Sequence, residues 1–175
     1  MNRIGGREMV LGALLVGLLI AAKILEPRFV TLPAQTLLST HLWELAIVAL
    51  PLFVVILSGG IDLSVGSILA LSGVTLGLLF ERGLSPWFGS LAAILVGGVA
   101  GSLNGWFIAK YRVHPLIITL ASMAAFRGIA EGISLARPIS GYPESFQNFS
   151  QGKLLGIPYP GWIFFLLAVG VGFAV

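Results

Sequence analysis

The chain has 175 residues, of which 57% are hydrophobic and 10% charged, and its mean hydropathy is +1.01. A soluble domain carries about 25% charged residues, so these proportions describe a polytopic membrane protein and exclude a soluble globular one. Ten Lys and Arg against seven Asp and Glu lack the density of a nucleic-acid-binding patch. The absence of Cys excludes disulfides, thiolate metal sites and Cys nucleophiles.

In chain order, Arg3 and Arg7 precede a first apolar span over Val10–Leu25, which Glu26-Pro27-Arg28 ends because Pro cannot continue a helix interior. No small-residue cleavage site follows, so the span reads as uncleaved. Thr31–His41 is polar and reads as a loop or surface helix. A second span covers Leu42–Leu57, with Glu44 near its start and Pro51 midway. A glycine-rich turn, Ser58-Gly59-Gly60-Ile61-Asp62-Leu63, leads to a third helix over Ser64–Phe80, closed by Glu81-Arg82-Gly83. The sixteen residues of Leu42–Leu57 reach only ~24 Å at ~1.5 Å each, and the seventeen of Ser64–Phe80 about 26 Å, less than the ~30 Å hydrocarbon core. Two short segments joined by this turn imply a break inside the membrane boundary.

The fourth span, Trp87–Ile108, is 22 uncharged residues anchored by Lys110-Tyr111-Arg112. The fifth, Leu116–Ala136, carries Arg127 and Glu131. Residues 137–160 hold Gly141, Pro143, Pro158 and Pro160 among Ser, Gln and Asn and read as an extramembrane loop. A sixth span begins near Trp162, and the apolar run 161–175 lacks a polar exit. The expected fold is all-α: about six transmembrane segments, the last incomplete, with the glycine-rich turn between segments two and three. Residues 1–175 read as one transmembrane domain, the N-terminal fragment of a longer one.

Two features carry candidate function. In lipid every backbone polar group must be satisfied internally, so a helix breaks at depth only beside protein or a watery cavity. Gly59, Gly60, Asp62 and Ser64 are therefore candidates for a solute path or gate. The alternative is structural, with Asp62 accepting hydrogen bonds at the start of helix three, or Ser64 serving as its cap. The second feature is small residues at fourfold spacing: Gly73 and Gly77, then Gly97, Gly101 and Gly105, then Gly128 and Gly132. Such stripes let helix backbones approach closely, within a chain or across a dimer. Arg127 and Glu131, four apart, can pair and neutralise one another. His41 and His114 are too isolated for a metal pair. The sequence contains no phosphate loop, His-Glu-x-x-His or Gly-x-Ser-x-Gly, so neither catalytic residues nor a metal site nor a cofactor is expected.

Four segments also resemble a known family in the same order. They are Gly59-Gly60-Ile61-Asp62-Leu63-Ser64-Val65-Gly66-Ser67, Asn104-Gly105, Pro115 to Thr119-Leu120 with Arg127-Gly128, and Gly156-Ile157-Pro158-Tyr159-Pro160. They resemble the sugar-importing ATP-binding-cassette permeases of the ribose, rhamnose and autoinducer-2 group. His114 departs from the apolar residue or Pro expected before Pro115. The resemblance implies a multi-pass permease of the bacterial inner membrane, not an enzyme. Its amino terminus would lie inside and residues 137–160 outside. Basic residues alone do not orient the chain, since Arg3, Arg7, Lys110 and Arg112 would then face Lys23, Arg28, Arg82, Arg137 and Lys153 across the membrane. The implied partners are the lipid bilayer, a separate ATP-hydrolysing subunit, an extracytoplasmic sugar-binding protein and a second permease copy, identical or related, with no nucleic acid. The ATPase-docking loop would lie beyond Val175. Alternatives are a branched-chain amino-acid permease, a non-transporting scaffold or fragment, and an intramembrane enzyme, for which Ser64 and Ser67 lack a nearby His.

Overall fold

The structure is a computed structural model that describes residues 6–174; Arg3 of the basic tally and Val175 lie outside them. The chain divides into two compact units, Met1–Glu44 and Leu45–Val175. Its helices are α1 (Gly6–Leu25), α2 (Leu32–Leu57), α3 (Val65–Glu81), α4 (Pro86–Tyr111), α5 (Pro115–Ser134), α6 (Glu144–Gln151) and α7 (Tyr159–Ala174). Four of these, α1, α2, α4 and α5, are long and apolar enough to cross a membrane, and α3 and α7 are shorter apolar helices.

In the first unit α1 is apolar and exposed along its length. Pro27 opens a 3-10 helix over Pro27–Val30, where the Glu26 carboxylate accepts from the Arg28 amide at 3.2 Å. The polar stretch after Thr31 proves helical and continuous with the second span, so α2 runs 26 residues rather than 16. Pro33 sits in the first turn, where its missing N–H costs nothing. The Thr36 and Ser39 hydroxyls donate to the Leu32 and Thr36 carbonyls, which keeps these side chains compatible with a helix. The segment before the glycine turn is thus long, and α3 alone is short.

In the second unit α3 packs against both α4 and α5. The interior is small and polar. Its buried apolar side chains include Ala100 and Ala130, beside buried Ser64, Ser67, Asn104, Thr119 and Ser134, while Ile94, Leu95 and Val99 lie 60–70% exposed on α4. This inversion suits a chain in lipid, where apolar exteriors cost nothing and close backbone approach and interhelical hydrogen bonds hold helices together. A Cβ at Gly89 would lie 3.1 Å from the Leu76 carbonyl oxygen, and one at Gly97 3.1 Å from the Ser72 hydroxyl. Helices α4 and α5 start alike, with Pro at N1 and a side chain (Ser85 Oγ or His114 Nδ1) accepting the next free amide at 3.3 Å. His114 is therefore a helix cap.

Residues 137–160, expected as a loop, are instead folded onto the C-terminal end of α3 and the N-terminal end of α4. The Arg137 guanidinium donates twice to the Glu81 carboxylate, at 2.6 and 2.5 Å. That hydrogen bond, and then the Glu81 charge, raise the arginine's pKa further. The Phe80 and Tyr142 rings lie 4.7 Å apart, and burial, then the Glu81 charge, push the Tyr142 phenol above its ordinary value. Trp87 meets Phe146 and Phe149 of α6 edge-on, at 5.2 and 5.1 Å. A two-residue hairpin pairs β1 (Lys153–Leu154) with β2 (Ile157–Pro158). Leu155 and Gly156 both have positive φ, as a primed turn requires. Trp162 Nε1 donates to the Leu154 carbonyl at 3.0 Å, fixing this hairpin to α7.

Candidate functional site: the turn between α2 and α3

Helix α2 ends because its sequence reaches two glycines. The Gly59 amide donates to the Ile56 carbonyl and the Gly60 amide to the Val55 carbonyl, both at 2.9 Å, with Gly59 at φ +77. This is the paired closure that a left-handed residue after a helix makes, and Gly takes that conformation without a Cβ penalty. A Cβ at Gly60 would lie 3.1 Å from Val55 Cγ1. Both glycines therefore have a structural role, and they also line a cavity.

From Gly60 to Ser64 the chain has no regular secondary structure, and its polar groups are satisfied partly within the turn and partly by α4 and α5. Asp62 Oδ1 accepts from the Ser64 amide at 2.7 Å and from the Ser64 hydroxyl at 2.6 Å. The same hydroxyl accepts from Asn104 Nδ2 of α4 at 2.8 Å, a bond between residues forty apart. Thr119 of α5 donates through Oγ1 to the Ile61 carbonyl at 3.2 Å, and the Ser67 hydroxyl donates to the Ser64 carbonyl at 2.7 Å. Ser64 occupies the cap position of α3 but makes no side-chain cap bond; its hydroxyl, fully buried, is the hub between Asp62 and Asn104. Asp62 thus accepts an otherwise free amide at a helix start, where a carboxylate also suits the positive dipole end.

Depth follows from helix rise. Asn104 lies seven residues, ~10 Å, before the end of α4, and Thr119 four residues, ~6 Å, into α5. The turn is therefore inset from the ends of both helices. Beside it lies a cavity of about 320 Å³ whose wall includes Gly59, Gly60, Asp62, Gly101, Asn104 and Thr119. That volume falls at the lower end of small-molecule sites, ~300–1,000 Å³.

The four turn candidates are brought together here, whereas the glycine stripes separate. Gly97 meets Ser72 of α3, and Gly77 sits under Ile139 of the folded 137–160 segment. At Gly73, Gly101, Gly105, Gly128 and Gly132 a Cβ would meet nothing within 4 Å. Gly101 and Gly105 instead border the cavity. Asn104 and Thr119 are participants that sequence reading did not select as site residues. Their signal was a polar side chain inside an apolar span, which must find an internal partner.

The fold and site define a class: a multi-pass membrane protein with an unwound, hydrogen-bonded segment inset between spanning helices. Residues 35–175 match the family described as branched-chain amino acid transport system, permease component, and the chain belongs to that family. It is similar to the autoinducer 2 import system permease protein LsrD of Salmonella typhimurium (strain LT2), at 36% identity over 166 residues, 91% of this chain and 50% of that protein. The same-named protein of Escherichia coli O9:H4 (strain HS) is 36% identical over 167 residues, 92% of this chain and 51% of the relative. The chain spans about half the length of the curated relatives it matches. No solved structure matches it.

Proposed function

We propose that the chain is part of the membrane-spanning permease of an ATP-binding-cassette importer for a sugar or sugar-like solute, in the inner membrane of a bacterium. The observation that carries this reading is the 36% identity, across nine-tenths of the chain, to permeases named for importing autoinducer 2. Residues 1–175 are then one transmembrane permease domain, the N-terminal part of a longer one, which the half-length match supports. The permease would work with a separate ATP-hydrolysing subunit, an extracytoplasmic binding protein and a second permease copy. It supplies a path and carries out no chemistry.

Within that permease, Gly59, Gly60 and Asp62 border the inner part of the path, and buried Ser64 anchors Asp62 behind them. Unwound backbone at membrane depth persists where it lines a cavity. The polar bonds from Asn104 and Thr119 give this segment a defined docked state that a gate can leave. The outer segment 137–160 faces the side where the binding protein delivers solute. The family, named for branched-chain amino acid transport, makes a branched-chain amino acid the second reading.

The test is uptake by membrane vesicles that hold the complete permease with its ATPase and binding protein. ATP-dependent accumulation of a labelled pentose, deoxyhexose or autoinducer-like sugar supports the reading. Accumulation of L-leucine instead selects the amino-acid alternative. Accumulation of neither class, at normal membrane abundance, refutes both.

A further inference from the structure

We infer that a second cavity, between α3 and α5, is a solute-contacting site in series with the Asp62 cavity, and that its Arg127–Glu131 pair takes a neutral polyhydroxylated solute. The substrate class rests on the proposed function; the site itself does not. The cavity holds about 280 Å³ and is bordered by Gly66, Ser67, Ala70, Met123, Arg127 and Glu131.

Three observations converge. The first is charge where lipid would not tolerate it. Arg127 Nε donates to Glu131 Oε1 at 2.9 Å, yet the side chains remain 73% and 57% exposed within a helix of membrane-spanning length and hydropathy. Arg127 lies seven residues, ~10 Å, from the end of α5. Ions in hydrocarbon are costly even when paired, and intramembrane charges face water-filled cavities or protein. The second is the facing wall. The α3 residues there are Gly66, Ser67 and Ala70, small or polar, which leaves space beside the pair. The exposed face of α4, with Ile94, Leu95 and Val99, shows what a lipid-facing wall of this protein looks like.

The third observation is continuity. Pro115 and Thr119 border the Asp62 cavity, and Met123, Arg127 and Glu131 border the second. These five are each four residues apart, so a single stripe of α5 lines both spaces. On the opposite wall Ile61 and Asp62 belong to the first cavity and Leu63 to the second. The Thr119–Ile61 hydrogen bond lies on the wall of the first cavity, one α5 turn from Met123 of the second.

The chemistry of the pair suits the solute class of the proposed function. A guanidinium only donates and a carboxylate only accepts, while neighbouring hydroxyls do both, so a polyol can bridge the two without separating them. The pair carries no net charge and needs no counter-ion. A zwitterionic amino acid would instead engage the two ions through its carboxylate and ammonium, so protection by sugar or by L-leucine distinguishes the two solutes.

The chain is naturally free of Cys, so Ala70→Cys and Gly66→Cys in the assembled transporter report directly on this space, with Leu95→Cys on α4 as the lipid-facing reference. Both test positions take a small side chain; at Gly66 a Cβ meets nothing within 4 Å. A positively charged, membrane-impermeant methanethiosulfonate should modify both test thiols at least ~tenfold faster than Leu95→Cys, because apolar surroundings suppress the reactive thiolate. D-ribose, L-rhamnose and L-leucine, each at a concentration that saturates its uptake, serve as probes. Slowing of the reaction by a transported sugar is the expected result. Test thiols as inert as Leu95→Cys would overturn the site even where sugar uptake is normal. Rapid reaction that no transported solute slows would overturn solute contact. Protection by L-leucine would keep the site and overturn the polyol assignment.

Discussion

Removing the Ser64 hydroxyl tests whether the turn is held as its geometry says. In Ser64→Ala, Asp62 loses one of its two bonds and Asn104 Nδ2, on a side chain only 6% exposed, loses its partner. A hydrogen bond to a charged group contributes ~1.5–3 kcal/mol, and an orphaned buried polar group costs ~1–3 kcal/mol. The adjoining cavity lets water reach the Asn104 amide, which places the total toward the lower end of that sum, about 3 kcal/mol. At ~2–4 °C per kcal/mol for a chain of this size, apparent melting in detergent should fall by ~6–12 °C. Ser67→Ala, which loses only a local bond to the Ser64 carbonyl, should change melting by a few degrees at most. Asn104→Leu in the Ser64→Ala background removes the orphaned amide, so the double variant should be less destabilised than the two single effects added, by ~1–2 kcal/mol. Equal melting of Ser64→Ala and Ser67→Ala, with strictly additive behaviour in the double variant, would refute the hub.

Asp62→Asn keeps an acceptor for both Ser64 bonds but removes their charge assistance, so it should assemble normally; uptake at least ~tenfold below wild type at matched abundance would show that the charge acts in gating, and wild-type uptake would show a structural role alone. Gly89→Leu should destabilise the chain by ~1–3 kcal/mol because the side chain enters the Leu76 backbone, whereas Gly101→Leu should leave melting nearly unchanged; a larger loss at Gly101 would place a helix contact there. Because folding raises the Tyr142 pKa, docking of residues 137–142 is favoured below the ordinary value of 10.0 and weakens as pH rises through and above it; Tyr142→Phe should flatten that alkaline limb in limited proteolysis, and an unchanged limb would contradict it. A Lys153→Cys thiol should react only with reagent applied from outside, and labelling only from the cytoplasm would invert the orientation.

Much of the helical plan was legible because apolar run length and Pro position report local backbone preference. The starts of α4 and α5 fall within one residue of expectation, at Pro86 and Pro115, since Pro at N1 with a capping side chain before it is a local signal. The polar stretch after Thr31 was less legible, because hydroxyls that bond back to their own helix look in sequence like loop residues. Residues 137–160 were legible only as a non-spanning segment. Their order comes from partners far along the chain, Glu81 for Arg137 and Trp87 for α6.

The sequence by itself determined the lipid environment, the spanning segments and the position of the break, because hydropathy, helix length and a Gly-Gly pair act through neighbours in the chain. Tertiary structure decided what the break is joined to. Asp62 and Ser64 were visible as a polar pair, but Asn104 and Thr119 complete the network from residues forty and fifty-eight positions away. It also divided the glycines, placing Gly77 and Gly97 in contacts and Gly101 and Gly105 beside a cavity, although their spacing is the same. The physical reason is that a period of four defines a helix face, whereas the neighbour on that face is set by how α3, α4 and α5 pack.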